Sequence, residues 1–344
     1  MLEVTGYTSG RIAIANLDAV IASLERRCLD GGSIEERVEL SRLFFLRGDI
    51  LGRISDHDRA ETAALEAIAL TNDLGASFLI HAQILGRFHR FAEAKAMLRR
   101  AIEAGHAPLP VAAEKAALLQ ATGLYADALL IRRRLADVQP GIHTLGALAT
   151  LLAEMGEWTQ AQICYTAALD LDHGVSPLPC AQLLFEWGVN AMRRGDLDAA
   201  ESRFATLDLI VPDHVPGRGH RAEVALERGQ LDRALALITP VLDIADDPEY
   251  RATYAQILAA RGQHDAAAQG AERAALAYEK LLARRPEAYA DHAAALFMGI
   301  GNRPQRALEL AAANWRLRDT PRARRLLSRA QRAVSAEALM QRVA

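Results

Sequence analysis

Eight alanines mark the same point of a recurring unit along almost the whole chain: Ala60, Ala94, Ala128, Ala161, Ala200, Ala234, Ala267 and Ala307. The steps between them are 34, 34, 33, 39, 34, 33 and 40 residues. A unit of that length is a helix pair. It cannot bury its apolar face alone, so neighbours stack into an array instead of forming one globular core.

The sixth unit shows the pattern. Its first helix reads HRAEVALERG and its second DRALALITPVLD, joined by Gly229-Gln230-Leu231. Gly229 is placed where a helix ends and the chain reverses, because glycine takes the left-handed cap conformation without a Cβ clash. Ala234 falls at the closest approach of the two helices, and Ile238 and Val241 follow on the same face. The turn recurs as Gly123-Leu124-Tyr125, Gly156-Glu157-Trp158, Gly195-Asp196-Leu197 and Gly262-Gln263-His264, with Pro140 and Pro212 ending units.

These residues resemble the tetratricopeptide repeat: a small residue in the first helix, a glycine and then an aromatic or leucine at the turn, an alanine in the second helix, and a terminal proline. The resemblance covers roughly residues 36 to 332. It departs from the family pattern at Arg132, which occupies an apolar slot, and in the irregular eighth unit, with Pro304 at its turn. It implies an all-α solenoid, a right-handed superhelix of helix-turn-helix repeats, and a family role in holding other polypeptides.

The expected organisation is a capping helix in residues 1–35, the array in 36–332 and a C-terminal tail or cap in 333–344. Ile14, Leu17, Ile21, Leu24 and Cys28 alternate steps of three and four, giving an amphipathic helix over 11–29 that shields the open end of the first pair. Ser33 with Glu36 forms a capping box. The 39-residue step contains the loop DLDHGVSPLPC (170–180); the 40-residue step is a lengthened second helix, roughly Asp265 to Arg284. Such insertions lie at a solenoid's edge, as partner contacts or as tolerated surface segments. One more helix is expected from Pro321 to about Arg332, and a weaker one from Ala336 to Val343.

Composition narrows the function classes. A net charge of −3 gives a weak overall field and argues against a general nucleic-acid binder. Three lysines against 37 arginines point to a GC-rich, bacterial genome. There is no apolar run long enough for a membrane span. The N-terminus, with Glu3 early, has no secretory pattern. Three cysteines without motif spacing fit reduced thiols in the cytoplasm.

The resemblance makes the first helices line the concave face. The candidate contacts for a protein or peptide partner are Phe45, Arg53, Gln83, Arg87, Gln182, Phe185, Val189, Met192 and Arg193. Arg42, Asp49, Leu79, Gln120, Thr150, Glu154, Glu223 and Glu227 share that register. Phe185, Val189 and Met192 read as an apolar ridge that the array itself does not bury, unless the 170–180 loop covers it. The Lys and Asn carboxylate clamp of some family members is not expected, because Phe45 and Asp49 stand at the corresponding stretch. Arg53 and Arg87 could still fork a carboxylate.

Seven arginines between Arg316 and Arg332 make either a solvated face or a patch for nucleic acid or an acidic partner. Asp56-His57-Asp58 fits a helix first turn better than a metal cluster. Cys164, His173 and Cys180 match no zinc spacing. HExxH, GxSxG and GxxxxGK[ST] patterns are missing, so neither catalysis nor a cofactor is expected. The leading reading is a non-catalytic scaffold or adaptor. The alternatives are a peptide-sensing regulator of a partner protein and an accessory subunit of an enzyme complex.

Overall fold

The computed structural model describes residues 6–71 and 74–343, with side chains up to residue 339; the reading of Glu3 lies outside the described residues. Among the described residues there are 18 α-helices, one 3₁₀ segment and no strand. Helix α1 (Gly10–Leu29) precedes eight helix pairs. These are α2 (Ile34–Leu51) with α3 (Ile54–Leu70), α4 (Gly75–Arg87) with α5 (Phe91–Glu103), α6 (Pro108–Ala121) with α7 (Tyr125–Val138), and α8 (Ile142–Glu154) with α9 (Trp158–Asp170). They continue as α10 (Leu178–Arg193) with α11 (Leu197–Ile210), α12 (Val215–Glu227) with α13 (Leu231–Ile238), α14 (Pro248–Ala260) with α15 (His264–Arg284), and α16 (Pro286–Met298) with α17 (Pro304–Leu317). Helix α18 (Pro321–Val343) closes the series.

All eight marker alanines are buried, at 0–3% exposure, so the phase read from the sequence is the packing phase. Five residues before each marker, the turn glycines Gly123, Gly156, Gly195, Gly229 and Gly262 have φ between 69° and 88°. Two units fill the same left-handed slot without glycine: His89 at φ 57° and Asn302 at φ 45°. A polar side chain tolerates that conformation at a modest cost, which is why the units still turn there.

Three elements differ from expectation. Helix α18 runs unbroken through residues 333–335, where two helices were expected; that stretch, Ala-Val-Ser, contains no breaker. Helix α13 stops at Ile238 and continues as a 3₁₀ turn over Thr239–Asp243, because Pro240 has no N–H for an α-helical bond. Helix α1 does more than cap. Its Ile14, Leu17, Ile21 and Leu24 are buried in one cluster with Leu40 and Phe44 of the first pair. Just ahead of it, Tyr7 Oη donates to Asp172 (2.7 Å) and the Thr8 amide to the Val175 carbonyl (2.8 Å), so the 170–180 loop anchors the approach to α1.

The array turns far enough to meet itself. The loop after α2 reaches the loop before α14: Arg53 Nε donates to the Ile244 carbonyl (3.0 Å). The Ile54 and Ser55 amides donate to the Asp246 carboxylate (2.5 and 3.0 Å). Asp246 thus caps the N-terminus of α3 from more than 190 residues away. Farther along the seam, Asp58 accepts from Arg284 (2.7 Å) and Arg285 (2.8 Å), and Glu61 accepts from Arg285 (2.6 Å). Arg285 also lies 3.6 Å over the Phe88 ring. At the last contact the Gly123 backbone lies against the Asp319 carbonyl, where a Cβ would come within 2.4 Å. The seam joins these polar contacts to apolar ones, since the Gly52 backbone lies against the buried Val215 and Tyr250 side chains.

Candidate functional site: the inner face of the superhelix

The first helix of each pair turns one face to the interior. Phe45 is half-buried, its ring 5.4 Å from that of His57, and His57 Nε2 is 3.0 Å from Asp49 Oδ1. Gln83 is half-buried, and Arg87 is 42% exposed, 3.8 Å from Asp49. Gln182 is exposed and donates to Glu186 (2.8 Å). Arg193 is 37% exposed and 3.6 Å from Glu154. Arg53 is engaged in the seam.

The apolar ridge is corrected. Val189 and Leu79 are buried, at 8% and 9% exposure, and Met192 packs half-buried on the core. Phe185 is half-buried among rings. It stacks with His220 (5.6 Å) and tilts against His214 (5.3 Å) and Phe204 (6.5 Å). First helices pack on the next pair as well as on their own second helix, and this consumes the ridge.

The last three units add His220, Glu249, Asp291 and His292, which the sequence reading left out. His220 Nδ1 is 2.8 Å from Glu223, whose other oxygen accepts from Thr253 (3.2 Å). His292 Nδ1 is 3.0 Å from Glu249. Asp291, 4% exposed, is hydrogen-bonded to Arg318, with Arg322 3.9 Å away. Glu249 and Tyr289 stand at the register position of Arg42 and Gln182; His292 stands at that of Phe45 and Phe185. Counting back from Ala267 and Ala307 would have found them.

Electrostatics ties the cluster together. Glu249, above all, raises His292 to about 9, and Asp291 adds to it against burial. Burial works to raise the Asp291 carboxyl, but His292, Arg318 and Arg322 outweigh it and hold the group far below the usual range. Burial, with Arg322 beside it, pushes Arg193 down to about 10. Burial and Arg318 lower His89 to about 4. Neutral His89 donates from Nδ1 to the Glu287 carbonyl (2.9 Å) and accepts at Nε2 from Arg318 (3.3 Å). Burial likewise lowers His214 to about 4, leaving Nδ1 free to accept from the Gly217 amide (3.1 Å).

These shifts act in opposite senses. The His292 contribution is complete below pH 6.5 and is lost as pH rises through about 9. The lowered His89 and His214 contribute fully above pH 6.5 and lose that contribution as pH falls toward 4. Burial raises Glu114 to about 7 and, with Glu249, Asp247 to about 6, which offsets the two histidines below neutrality. The alkaline limb is therefore the diagnostic one: His292→Gln is expected to flatten the fall in melting temperature between pH 6.5 and pH 9, measured by circular dichroism. An unchanged slope would contradict the His292 assignment.

The other candidates resolve into structural contacts. Asp56 forks Arg47 (2.6 and 2.7 Å), Asp58 holds the seam arginines and His57 faces Asp49. Cys28 and Cys164 are half-buried and Cys180 is buried, all three free. Burial pushes the Cys180 thiol up to about 11. Of the arginine run, Arg318 and Arg322 face Asp291 and Arg324 pairs with Asp319, whereas Arg316, Arg325, Arg329 and Arg332 are exposed.

Residues 191–257, the end of α10 through most of α14, match a tetratricopeptide repeat family model. Those residues are tetratricopeptide repeats, and the helix pairs on either side share their fold. Among solved structures, the chain is similar to the APC/C hetero-tetramer Cut9-Hcn1 (TM-score 0.51, 14% identity, 84% of this chain and 55% of that chain). It is also similar to yeast Tom70 (TM-score 0.51, 14% identity, 88% of this chain and 64% of that chain). It thus spans less than two thirds of both proteins, and the likeness is one of fold. No curated protein matches the chain. Among the described residues, no helix of this repeat array is long and apolar enough to cross a membrane.

Proposed function

We propose that the chain is a non-catalytic scaffold that holds a polypeptide partner on the inner face of its repeat superhelix. The supporting observation is a set of interior charges that the repeat core does not use. Arg87, Arg193 and Arg322 are 42%, 37% and 53% exposed and reach their nearest carboxylates only at 3.6–3.9 Å. Contacts that long leave guanidinium donors available to a ligand. Gln83 and Gln182 would add hydrogen bonds, and Phe45 and Phe185 apolar edges. Val189 and Met192 would act by supporting Phe185, and Arg53 would join only if the seam parts. Unpaired thiols at Cys28, Cys164 and Cys180 favour a reducing, cytoplasmic location.

The test is capture of the partner from source lysate, followed by calorimetry with Arg87→Ala and Phe185→Ala. Each variant is expected to weaken binding by about 1–3 kcal/mol, with the Arg87 effect shrinking as salt rises. Unchanged affinity in both, with unchanged melting, would move the binding surface off the inner face.

The seam supports a second reading, a peptide-sensing regulator. On this reading, a ligand shifts the superhelix between the closed state held by Asp246, Arg285 and Asp58 and a parted one. A ligand that changes the solution radius of gyration would favour this reading; a rigid ring in both states would favour the plain scaffold.

A further inference from the structure

Arg203, on α11, differs from the other arginines packed into the array. Arg47 faces Asp56, Arg221 faces Glu201 and Asp208, and Arg285 faces Asp58 and Glu61. Among the described residues, Arg203 pairs with no carboxylate. Its guanidinium sits 3.8 Å over the Trp187 ring, and Trp187 stacks in turn on Tyr165 (4.9 Å, 10° between planes). Its Nε is buried and has no acceptor. Burial lowers its pKa, and no neighbouring acid offsets the shift. Stacking favours the cation but leaves its N–H fork unfilled.

Beside this guanidinium lies a cavity of about 80 Å³ at the junction of α9, α10 and α11. Gln162, Asn190, Arg194, Asp196 and Arg203 line it together with Trp158, Tyr165 and Trp187. Three of these polar groups are engaged with one another or with the backbone. Asn190 donates to Tyr165 Oη (2.9 Å). Arg194, 5.2 Å over the Trp158 ring, pairs with Asp196. Asp196 also caps α11 through the Ala199 amide (3.1 Å). What remains is the Arg203 cation between aromatic walls, with the exposed Gln162 amide beside it. A space this small admits a carboxylate and its methylene, or a few waters. A carboxylate accepts a guanidinium fork with matching geometry.

We infer that this cavity is a subsite for the carboxylate side chain, glutamate or aspartate, of a bound polypeptide. That the occupant belongs to a polypeptide rests on the scaffold reading; the carboxylate chemistry does not. The subsite is separate from the interior cluster, so a partner using both would cross from the inner face to the junction of the fourth and fifth pairs.

The test follows the indole N–H signals of Trp158 and Trp187 by NMR in the full chain. Trp315, whose indole donates to Asp319 at the far end of the array, is the internal reference. The probe is N-acetyl-glutamate N-methylamide, with the glutamine isostere and inorganic phosphate as comparisons. Saturable shifts of Trp158 and Trp187, and not Trp315, are expected with the glutamate probe alone. Arg203→Gln should weaken that binding by about tenfold, the worth of one charge-assisted hydrogen bond. Should Arg203→Gln fail to keep its melting temperature, Arg203→Lys, which retains the charge and loses the fork, should still show weaker binding. Absent shifts, equal shifts with the glutamine isostere, or equal shifts with phosphate would overturn the inference. A blank result here removes the subsite and leaves the scaffold reading intact. Lost partner capture in the inner-face variants, with the probe still bound, does the reverse.

Discussion

Replacing Asp291 with alanine is expected to destabilise the fold by about 3–5 kcal/mol, the usual cost of leaving buried charge unpaired. Asp291 is 4% exposed and takes the hydrogen bond of Arg318, itself only 15% exposed. Arg322 and His292 lie 3.9 Å from the same oxygen, and His89 accepts from Arg318. Without the carboxylate, these cations face one another at the centre of the ring. The comparison is Glu39→Ala, which breaks the exposed pair with Arg42 and should cost less than about 0.5 kcal/mol. Urea unfolding reads both. Equal midpoints for the two variants would mean that the interior cluster does not hold the last units together.

The second large effect tests the repeat register. Ala200→Leu and Ala234→Leu should each cost ~1–3 kcal/mol, because both alanines are 0% exposed at a helix crossing and the added atoms have nowhere to go. Ala126→Leu and Ala268→Leu, on exposed faces of α7 and α15, should cost little. Ala199 is not a fair control, because it is half-buried against the same cluster as Ala200. Matching melting shifts at the two kinds of site would contradict the packing described above.

The architecture was legible because its information is local and repeated. A small residue is needed wherever two backbones cross, so the alanine phase survives in every unit, and glycine recurs wherever φ must be positive. Where a unit departs, as at His89 and Asn302, the position is read from phase instead of residue type. The lengthened helix α15 and the Ser33–Glu36 capping box were equally plain, since both depend on neighbours in the chain.

The site was legible only in part. Inner-face positions follow from the same phase, and extending it to Glu249, Tyr289 and His292 needed no further information. The closure was not readable. It depends on the small rotation between successive pairs, summed over the array, and no residue pattern states that sum. The seam therefore changed several expectations at once. Arg53 became a seam contact, Asp58 a seam acceptor, and Tyr7 and Thr8 a tether to the 170–180 loop. The burial of Val189 and Leu79 has the same origin, since contact between successive pairs depends on that rotation.

The account stands or falls on closure, because closure decides which inner-face residues a partner can reach. Its most direct test is a distance measured by pulsed electron resonance between spin labels at Ser55 and Asp243, both exposed beside the Arg53–Ile244 contact. Cys28, Cys164 and Cys180 would be replaced by alanine, so that only the two sites carry labels. A closed superhelix predicts one narrow distribution at the short end of the measurable range, broadening when Asp246→Ala removes the α3 cap. A broad or long distribution in the otherwise unchanged chain would contradict it.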